Sequence, residues 1–209
     1  MTDVCQVPFG ALNVGPGQLP EAHYDPKPSL SPAKLVLAGG CFWCVEAVFA
    51  SVEGVLEVRP GYAGGTSETA DYKTICTGQT DHAEVVELSY DPDVISMGQL
   101  LKLFFGIAHD PTQENRQGHD IGRQYRSAIF YRDDIQQQVA EGYIQQLIDA
   151  ECFKAPLQTR LEPLETFYPA EAYHHQYAAY NPDQPYIQAV ALPKVEKLKA
   201  AFPEQLKSR

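Results

Sequence analysis

The order of elements that the sequence predicts is β-α-β-β-α-β followed by extra C-terminal helices, an α+β plan: a ferredoxin-like two-layer sandwich with helices on one side of a sheet. Three observations predict it. A short apolar run at 35–39 passes through a glycine pair into an apolar helical pattern, "AEVVELSY" over 83–90 shows a two-residue alternation, and "MGQLLKLFFGIA" carries a helical pattern opened by a cap. A chain of 209 residues with 44% hydrophobic content buries one substantial core. The organisation expected is an extended arm over 1–33 and a single domain over 34–209.

The arm is rich in proline and glycine, including "NVGPGQLPEAHYDPKP", and holds no sustained period, so it is expected to be extended and either to lie on the domain or to be partly mobile. "KLVLAGG" supplies the first strand, at 35–39. Gly39 and Gly40 allow a sharp turn into a helix over 41–53, and "VLEVRP" returns as a strand over 55–60. A Gly-rich loop then leads to 83–90, where Glu84, Val86, Leu88 and Tyr90 share one face and Val85, Glu87 and Ser89 the other.

Ser96 and Gln99 form a capping-box pattern at the start of the second helix. "HDPTQENRQGHDIGRQ" reads as a long functional loop ahead of a strand, "YRSAIFY". A helix over 134–152, a strand near 158–165, a short helix in "AEAYHHQYAAYN" and a final helix after Pro193 complete the chain.

The 16 basic and 27 acidic residues leave a net charge of −11, and the basic ones are scattered, which argues against nucleic acid as a partner. The first residues lack the basic and apolar regions of a signal peptide, and no apolar run is long enough to span a bilayer. The expectation is a soluble, cytoplasmic protein with no membrane partner. Five cysteines, Cys5, Cys41, Cys44, Cys76 and Cys152, are an odd number in a chain too large to need stapling, so a disulfide framework is a poor explanation.

The pair in "GGCFWCVEAVF" is therefore a packed, metal-binding or redox pair. A thiolate at a helix start gains from unpaired N–H groups and the positive dipole end, which favours Cys41 as a nucleophile. Cys44, at i+3, lies on the same side and within reach of a short disulfide. Equally, Cys41, Cys44, Val45, Val48, Phe49 and Val52 make an ordinary apolar stripe. A zinc site needs a second ligand pair, and neither "HDIGRQ" nor "HHQY" has a finger spacing, so no metal is expected.

If the face of Glu84 points to the core, desolvation raises its pKa and leaves a proton for general acid catalysis. Alternation alone allows the opposite choice, with the face of Glu87 buried. Tyr62, Tyr72 and Tyr125 lie in or beside loops, where a phenol donates to a ligand oxygen or packs at a wet edge. His82, His109, His119, His174 and His175 have no spacing that singles one out.

Five segments, "GGCFWCVEAVF", "GYAGG", "YKTICTGQTDHAEVVELSYDP", "HDPTQENRQGHDIGRQYRSAIFY" and "FYPAEAYHHQYAAYNP", occur in this order over 35–182. Together they resemble the A class of peptide methionine sulfoxide reductases. The resemblance implies reduction of the S epimer of methionine sulfoxide, free or in oxidised proteins, by a chain expected to be monomeric, with thioredoxin as reductant and no cofactor. It casts Cys41 as the nucleophile, Glu84 as the acid, Phe42 and Trp43 as the cradle for the substrate methyl, Tyr72 and Tyr125 as holders of the sulfoxide oxygen, and Asp120 as a polar lining residue.

The sequence departs from that pattern at Cys44, where relatives often have glycine, and in its tail, which holds no cysteine. Cys44 is the expected resolving thiol because it alone is near Cys41 in sequence, with Cys5 and Cys152 as alternatives and Cys76 as a packed residue. Arg123 stands where threonine is common. Two rival readings use the same motif: a general CxxC disulfide oxidoreductase, and a module that binds oxidised methionine without turnover.

Overall fold

The computed structural model describes residues 11–208. Among these residues, eight strands, β1 (Ala33–Gly39), β2 (Val55–Ala63), β3 (Ala83–Tyr90), β4 (Arg116–Gln117), β5 (Asp120–Ile121), β6 (Ser127–Tyr131), β7 (Arg160–Pro163) and β8 (Tyr168–Pro169), accompany six α-helices. The helices are α1 (Phe42–Ala50), α2 (Tyr72–Ile75), α3 (Met97–Leu103), α4 (Asp134–Asp149), α5 (Tyr177–Tyr180) and α6 (Leu192–Ala201). Six strands form one sheet in the order β7-β6-β1-β3-β2-β8, and β4 and β5 make a small hairpin within the long loop before β6.

The central strands β6, β1, β3 and β2 are antiparallel to their neighbours, and only β7 joins in parallel, on β6. Opposite Val86 stands Leu37 of β1, and opposite Glu84 stands Tyr62 of β2. All eight residues of β3 are buried. One face of the sheet, with Leu35, Leu37, Val86, Leu88 and Tyr90, packs under α1, α3 and α4 with Phe49, Leu100, Leu101, Val139 and Tyr143. Val36, Ala38, Val85 and Phe130 form a smaller core on the other face, covered by Leu164 and Phe167.

The capping box at Ser96 is formed in both directions, Ser96 accepting from Gln99 N and Gln99 from Ser96 N. Two expected helices are shorter than their patterns. The first stops at Ala50, ahead of Gly54 at φ +83, where the chain turns into β2; α4 stops at Asp149, before Glu151 at positive φ. "AEAYHHQYAAYN" splits into a 3-10 turn (Ala172–His174) and α5, because Gln176 takes a left-handed conformation between them. Two single π-helical stretches, Phe104–Ala108 after α3 and Ile187–Ala191 before α6, border the same cavity, as such stretches often do at functional sites.

Residues 11–32 run against the helical layer. Leu19 is buried, Tyr143 donates its hydroxyl to Pro20 O at 2.9 Å, and Asp25 Oδ2 accepts from Gly98 N at 3.0 Å, satisfying one of the free N–H groups at the start of α3.

Candidate active site

The turn between β1 and α1 sets the site. Gly40 has φ +85, and a Cβ there would lie 2.4 Å from Gln117 Cγ, so only glycine fits. Cys41 follows as the N-cap of α1, and Cys44 lies one turn on, its N–H reaching Cys41 O at 3.1 Å. The two side chains are buried, 9% and 1% exposed, and unbridged. The Cys44 thiol donates to Tyr186 Oη at 3.8 Å, and Tyr186 donates to Asp120 Oδ2 at 2.5 Å.

The helix start does not by itself ionise Cys41. Burial pushes its thiol well up, and the neighbouring Cys44 and Glu84 charges push the same way. Cys44 carries the easier ionisation: the hydrogen bond from Cys41 outweighs burial and, with the charge of Lys194, brings its thiol down to about 7. The expectation of a dipole-stabilised Cys41 thiolate is thus corrected. Desolvation exceeds the dipole, and the first proton leaves the pair as a unit.

Glu84 lies at the β3 end nearest α1, 2% exposed, on the helix-facing side of the sheet. Its Oε2 accepts from Phe42 N at 3.0 Å, so the carboxyl is tied to the residue next to Cys41. Burial drives its pKa up to about 8, against the lowering effect of that bond and with the help of the Asp120 and Cys44 charges. A carboxyl in this state holds a proton at neutral pH and can release it.

Phe42 is packed among Tyr62, Tyr72 and His174, and Trp43 is half-buried with Tyr177 stacked on its face at 3.9 Å. Tyr72 starts α2, whose N-cap Asp71 accepts from Thr74 N, and Tyr72 N donates to Glu171 Oε1 at 2.9 Å. Tyr62 donates to the other oxygen of Glu171 at 2.8 Å. Tyr125, on the 3-10 turn Arg123–Tyr125, packs on the Cys41 and Cys44 cluster. Burial raises both the Tyr72 and Tyr125 phenols, which keeps them protonated as donors.

A cavity of about 410 Å³ opens beside the thiols, with Cys41, Cys44, His109, Asp120, Tyr186 and Lys194 in its lining. Phe42, Trp43, Tyr72 and Tyr125 lie outside that lining, in the adjoining aromatic cluster. Cys41 and Asp120 therefore border the cavity while the expected methyl cradle stands beside it. Among the described residues, no group of three His, Cys, Asp or Glu side chains is arranged to hold a metal ion.

Of the other cysteines, Cys5 lies outside the described residues. Cys152 is buried, its carbonyl accepting from Asn13 N. Cys76, expected to be packed, is exposed at the C-cap of α2, because the short helix leaves its last turn at the surface. Arg123 pairs with Asp81 at 2.6 Å. Nothing in the sequence singles out Tyr186, Glu171, Lys194 or His174. Tyr186 and Lys194 come from a tail with no motif, while His174, in "AYHHQY", is separated from its neighbour His175 only by burial.

The family model described as "Peptide methionine sulfoxide reductase" matches residues 33–206. Peptide methionine sulfoxide reductase MsrA 2 of Synechocystis sp. is 49% identical over 176 residues, 84% of this chain and 82% of that protein. Peptide methionine sulfoxide reductase MsrA of Thermus thermophilus is 50% identical, covering 82% of this chain and 96% of its own. Among solved structures, reduced Mxr1 from Saccharomyces cerevisiae superposes with a TM-score of 0.67 at 34% identity, over 80% of this chain and 93% of that one. Methionine sulfoxide reductase A of Corynebacterium diphtheriae gives 0.62 at 35% identity, over 71% and 74%.

Proposed function

The chain belongs to the peptide methionine sulfoxide reductase family and is an enzyme that reduces methionine sulfoxide by thiol chemistry; within that activity we propose that Cys41 is the nucleophile, Glu84 the acid and Cys44 the resolving thiol. The observation that carries this reading is Glu84: a buried carboxyl that keeps its proton near neutral pH, hydrogen-bonded to the residue after Cys41.

The Cys41 sulfur, once its proton has left, attacks the sulfoxide sulfur. Glu84 gives its proton to the sulfoxide oxygen as charge develops there, and the phenols of Tyr72 and Tyr125 donate to the same oxygen. The oxygen then passes from the substrate sulfur to the Cys41 sulfur as the bond between the two sulfurs breaks, so methionine leaves reduced and Cys41 is left as a sulfenic acid. Cys44 then attacks the Cys41 sulfur, water departs and a Cys41–Cys44 disulfide forms. An external dithiol reduces it by exchange and is itself oxidised. Phe42 and Trp43 form the methyl cradle and Asp120 lines the site.

The finer parts of the reading are the S-epimer preference, thioredoxin as the dithiol, a monomeric state and a cytoplasmic setting, where such dithiols are kept reduced. The ferredoxin-like description of the core belongs here too, supported by the strand order β6-β1-β3-β2. So does a single catalytic domain over 34–209 with a 1–33 arm, supported by the family match beginning at residue 33.

The test uses reduced protein and each sulfoxide epimer without reductant. About one equivalent of methionine from the S epimer alone, with a Cys41–Cys44 bridge mapped by peptide mass, is the expected result. Cys44→Ser keeps the single turnover and loses thioredoxin-driven cycling; full cycling in that variant, or a bridge to Cys5 or Cys152, removes Cys44 from its role.

A further inference from the structure

We infer that Lys194 is a positioning residue for the reopening of the Cys41–Cys44 bridge. Its ammonium, on the wall of the cavity that both thiols border, holds the negative charge released on Cys44. The external dithiol therefore attacks Cys41, and Cys44 is the leaving group. This direction of opening rests on Cys44 being the resolving thiol.

Lys194 lies in the first turn of α6, is 7% exposed, and lines the cavity together with Cys41 and Cys44. Its Nζ donates to Ala108 O at 2.7 Å, at the end of the π-helical stretch Phe104–Ala108. That partner is neutral, and among the described residues Lys194 has no ion pair with a carboxylate. A buried ammonium is costly without a counter-charge, and a thiolate on the same cavity wall is one that the catalytic cycle generates.

The two thiols sit in unequal fields. The hydrogen bond from Cys41 does most to lower Cys44; against burial and the Asp120 charge it is joined by the Lys194 charge and the Tyr186 hydrogen bond. Cys41 is pushed up by burial first, then by Cys44 and the Glu84 charge. While Cys41 is bonded to sulfur it has no thiol proton to give, so Lys194 is the cation left to stabilise a departing Cys44. The neighbours preserve this asymmetry. Burial, helped by Lys194, drives His109 down to about 3, so it stays neutral, and burial keeps the Tyr186 phenol protonated. Asp110 and Lys197 bring opposite charges to the same wall, and His119 borders it from the turn between β4 and β5.

Access points the same way, since Cys41 is 9% exposed and Cys44 1%. The thiolate of the dithiol bonds to the Cys41 sulfur, the Cys41–Cys44 bond breaks, and its electron pair goes to Cys44. The thiol of lower pKa is the faster leaving group. The second thiol of the dithiol then attacks the mixed disulfide, which frees Cys41 and leaves the dithiol oxidised, its two protons passing to the reduced pair and solvent.

The test oxidises wild-type enzyme by one turnover of methionine sulfoxide and adds a thioredoxin whose second thiol is replaced by serine, so that the mixed disulfide persists. Acid quenching followed by peptide fragmentation locates it. The expected adduct is on Cys41, with Cys44 free. An adduct on Cys44 overturns the inference, leaves the assignment of Cys44 as resolving thiol in place, and needs no variant to fold. Wild type that forms no Cys41–Cys44 bridge overturns that assignment, and the inference with it.

Lys194→Met removes the charge and keeps most of the stem, and Lys194→Arg keeps the charge. A nearby cation is worth about 1–3 in the pKa of an anion, and exchange follows leaving-group acidity in part, so adduct formation at pH 7 should slow by about 3- to 30-fold in Lys194→Met and stay near wild type in Lys194→Arg. The first ionisation of the reduced pair, followed by thiolate absorbance, should move up from about 7 in Lys194→Met alone. A lysine that only ties α6 to the π-helical stretch would affect stability and leave that midpoint in place. Lys194→Gln, which retains an N–H donor, carries the same expectation as Lys194→Met and replaces it if that variant does not fold. An unmoved midpoint, or an unchanged rate, in the neutral variant overturns the role of Lys194.

Discussion

Glu84 and Glu87 stand three residues apart on β3, equally hidden at 2% and 3% exposure, yet they are held in opposite states. Glu84 projects into the helical layer, where one backbone N–H is its hydrogen-bond partner and burial prevails, taking the pKa to about 8. Glu87 projects from the other face, where burial pushes up as well but hydrogen bonds from Arg59 and Lys34 more than reverse it; Arg132 pairs with it too. Depth alone does not raise a carboxyl's pKa. The number of cations brought with it decides.

The largest effect that breaks this comparison is on activity. Glu84→Gln keeps the shape of the buried group and removes its proton donor, and should slow single-turnover methionine formation by about 10²–10⁴-fold. Thiol-disulfide exchange at Cys41 and Cys44 should continue at nearly the wild-type rate, measured with a thioredoxin-class dithiol. Equal loss of both activities would remove Glu84 from proton delivery.

Next in size is stability. Glu87→Gln leaves three partly exposed cations around a neutral group and should cost about 1–3 kcal/mol in denaturant unfolding, with kcat/KM of the folded fraction close to wild type. Loss of activity without loss of stability would contradict the division of labour between the two faces.

Two pH windows sharpen the contrast. Glu84 has a folded pKa above its unfolded value, so its contribution to stability is fully present below about 4.5 and is lost as pH rises through about 8. Glu87 has a folded pKa below its unfolded value, so its contribution is present above about 4.5 and is lost as pH falls through the folded value. Unfolding of each Gln variant, followed beside wild type across pH, should show differences in these two separate ranges. Single-turnover activity should rise as the thiol pair ionises near 7 and fall as Glu84 ionises near 8.

The smallest effect belongs to Lys34, 42% exposed and 3.1 Å from Glu87. Lys34→Met should cost no more than about 1 kcal/mol, read from the same unfolding curves, because solvent screens this pair and two arginines remain.

Much of the contrast was legible in the sequence. Alternation along "AEVVELSY" put Glu84 and Glu87 on opposite faces, and the capping box placed the start of α3. Alternation could not tell which face would be buried, because the answer is both: Leu164 and Phe167, distant in sequence, close the second face. The Cys41 thiolate was misjudged for a related reason. A helix start is a local feature, but the burial that outweighs it comes with the segment around Ala178 and Ile187, assembled only in three dimensions, while the Tyr186 hydrogen bond acts the other way.

Glu84 is carried on a strand flanked on both sides by partner strands and buried along its whole length, whereas Tyr177 and Tyr186, which close over the thiols, are carried by a one-turn helix and the residue before a π-helical stretch. Their backbones should consequently exchange amide protons on different clocks. The amides of 84–90 become accessible only when the whole molecule opens, while those of 171–187 exchange through smaller local openings, so the cover over the sulfur atoms can be renewed many times within the lifetime of one folded core.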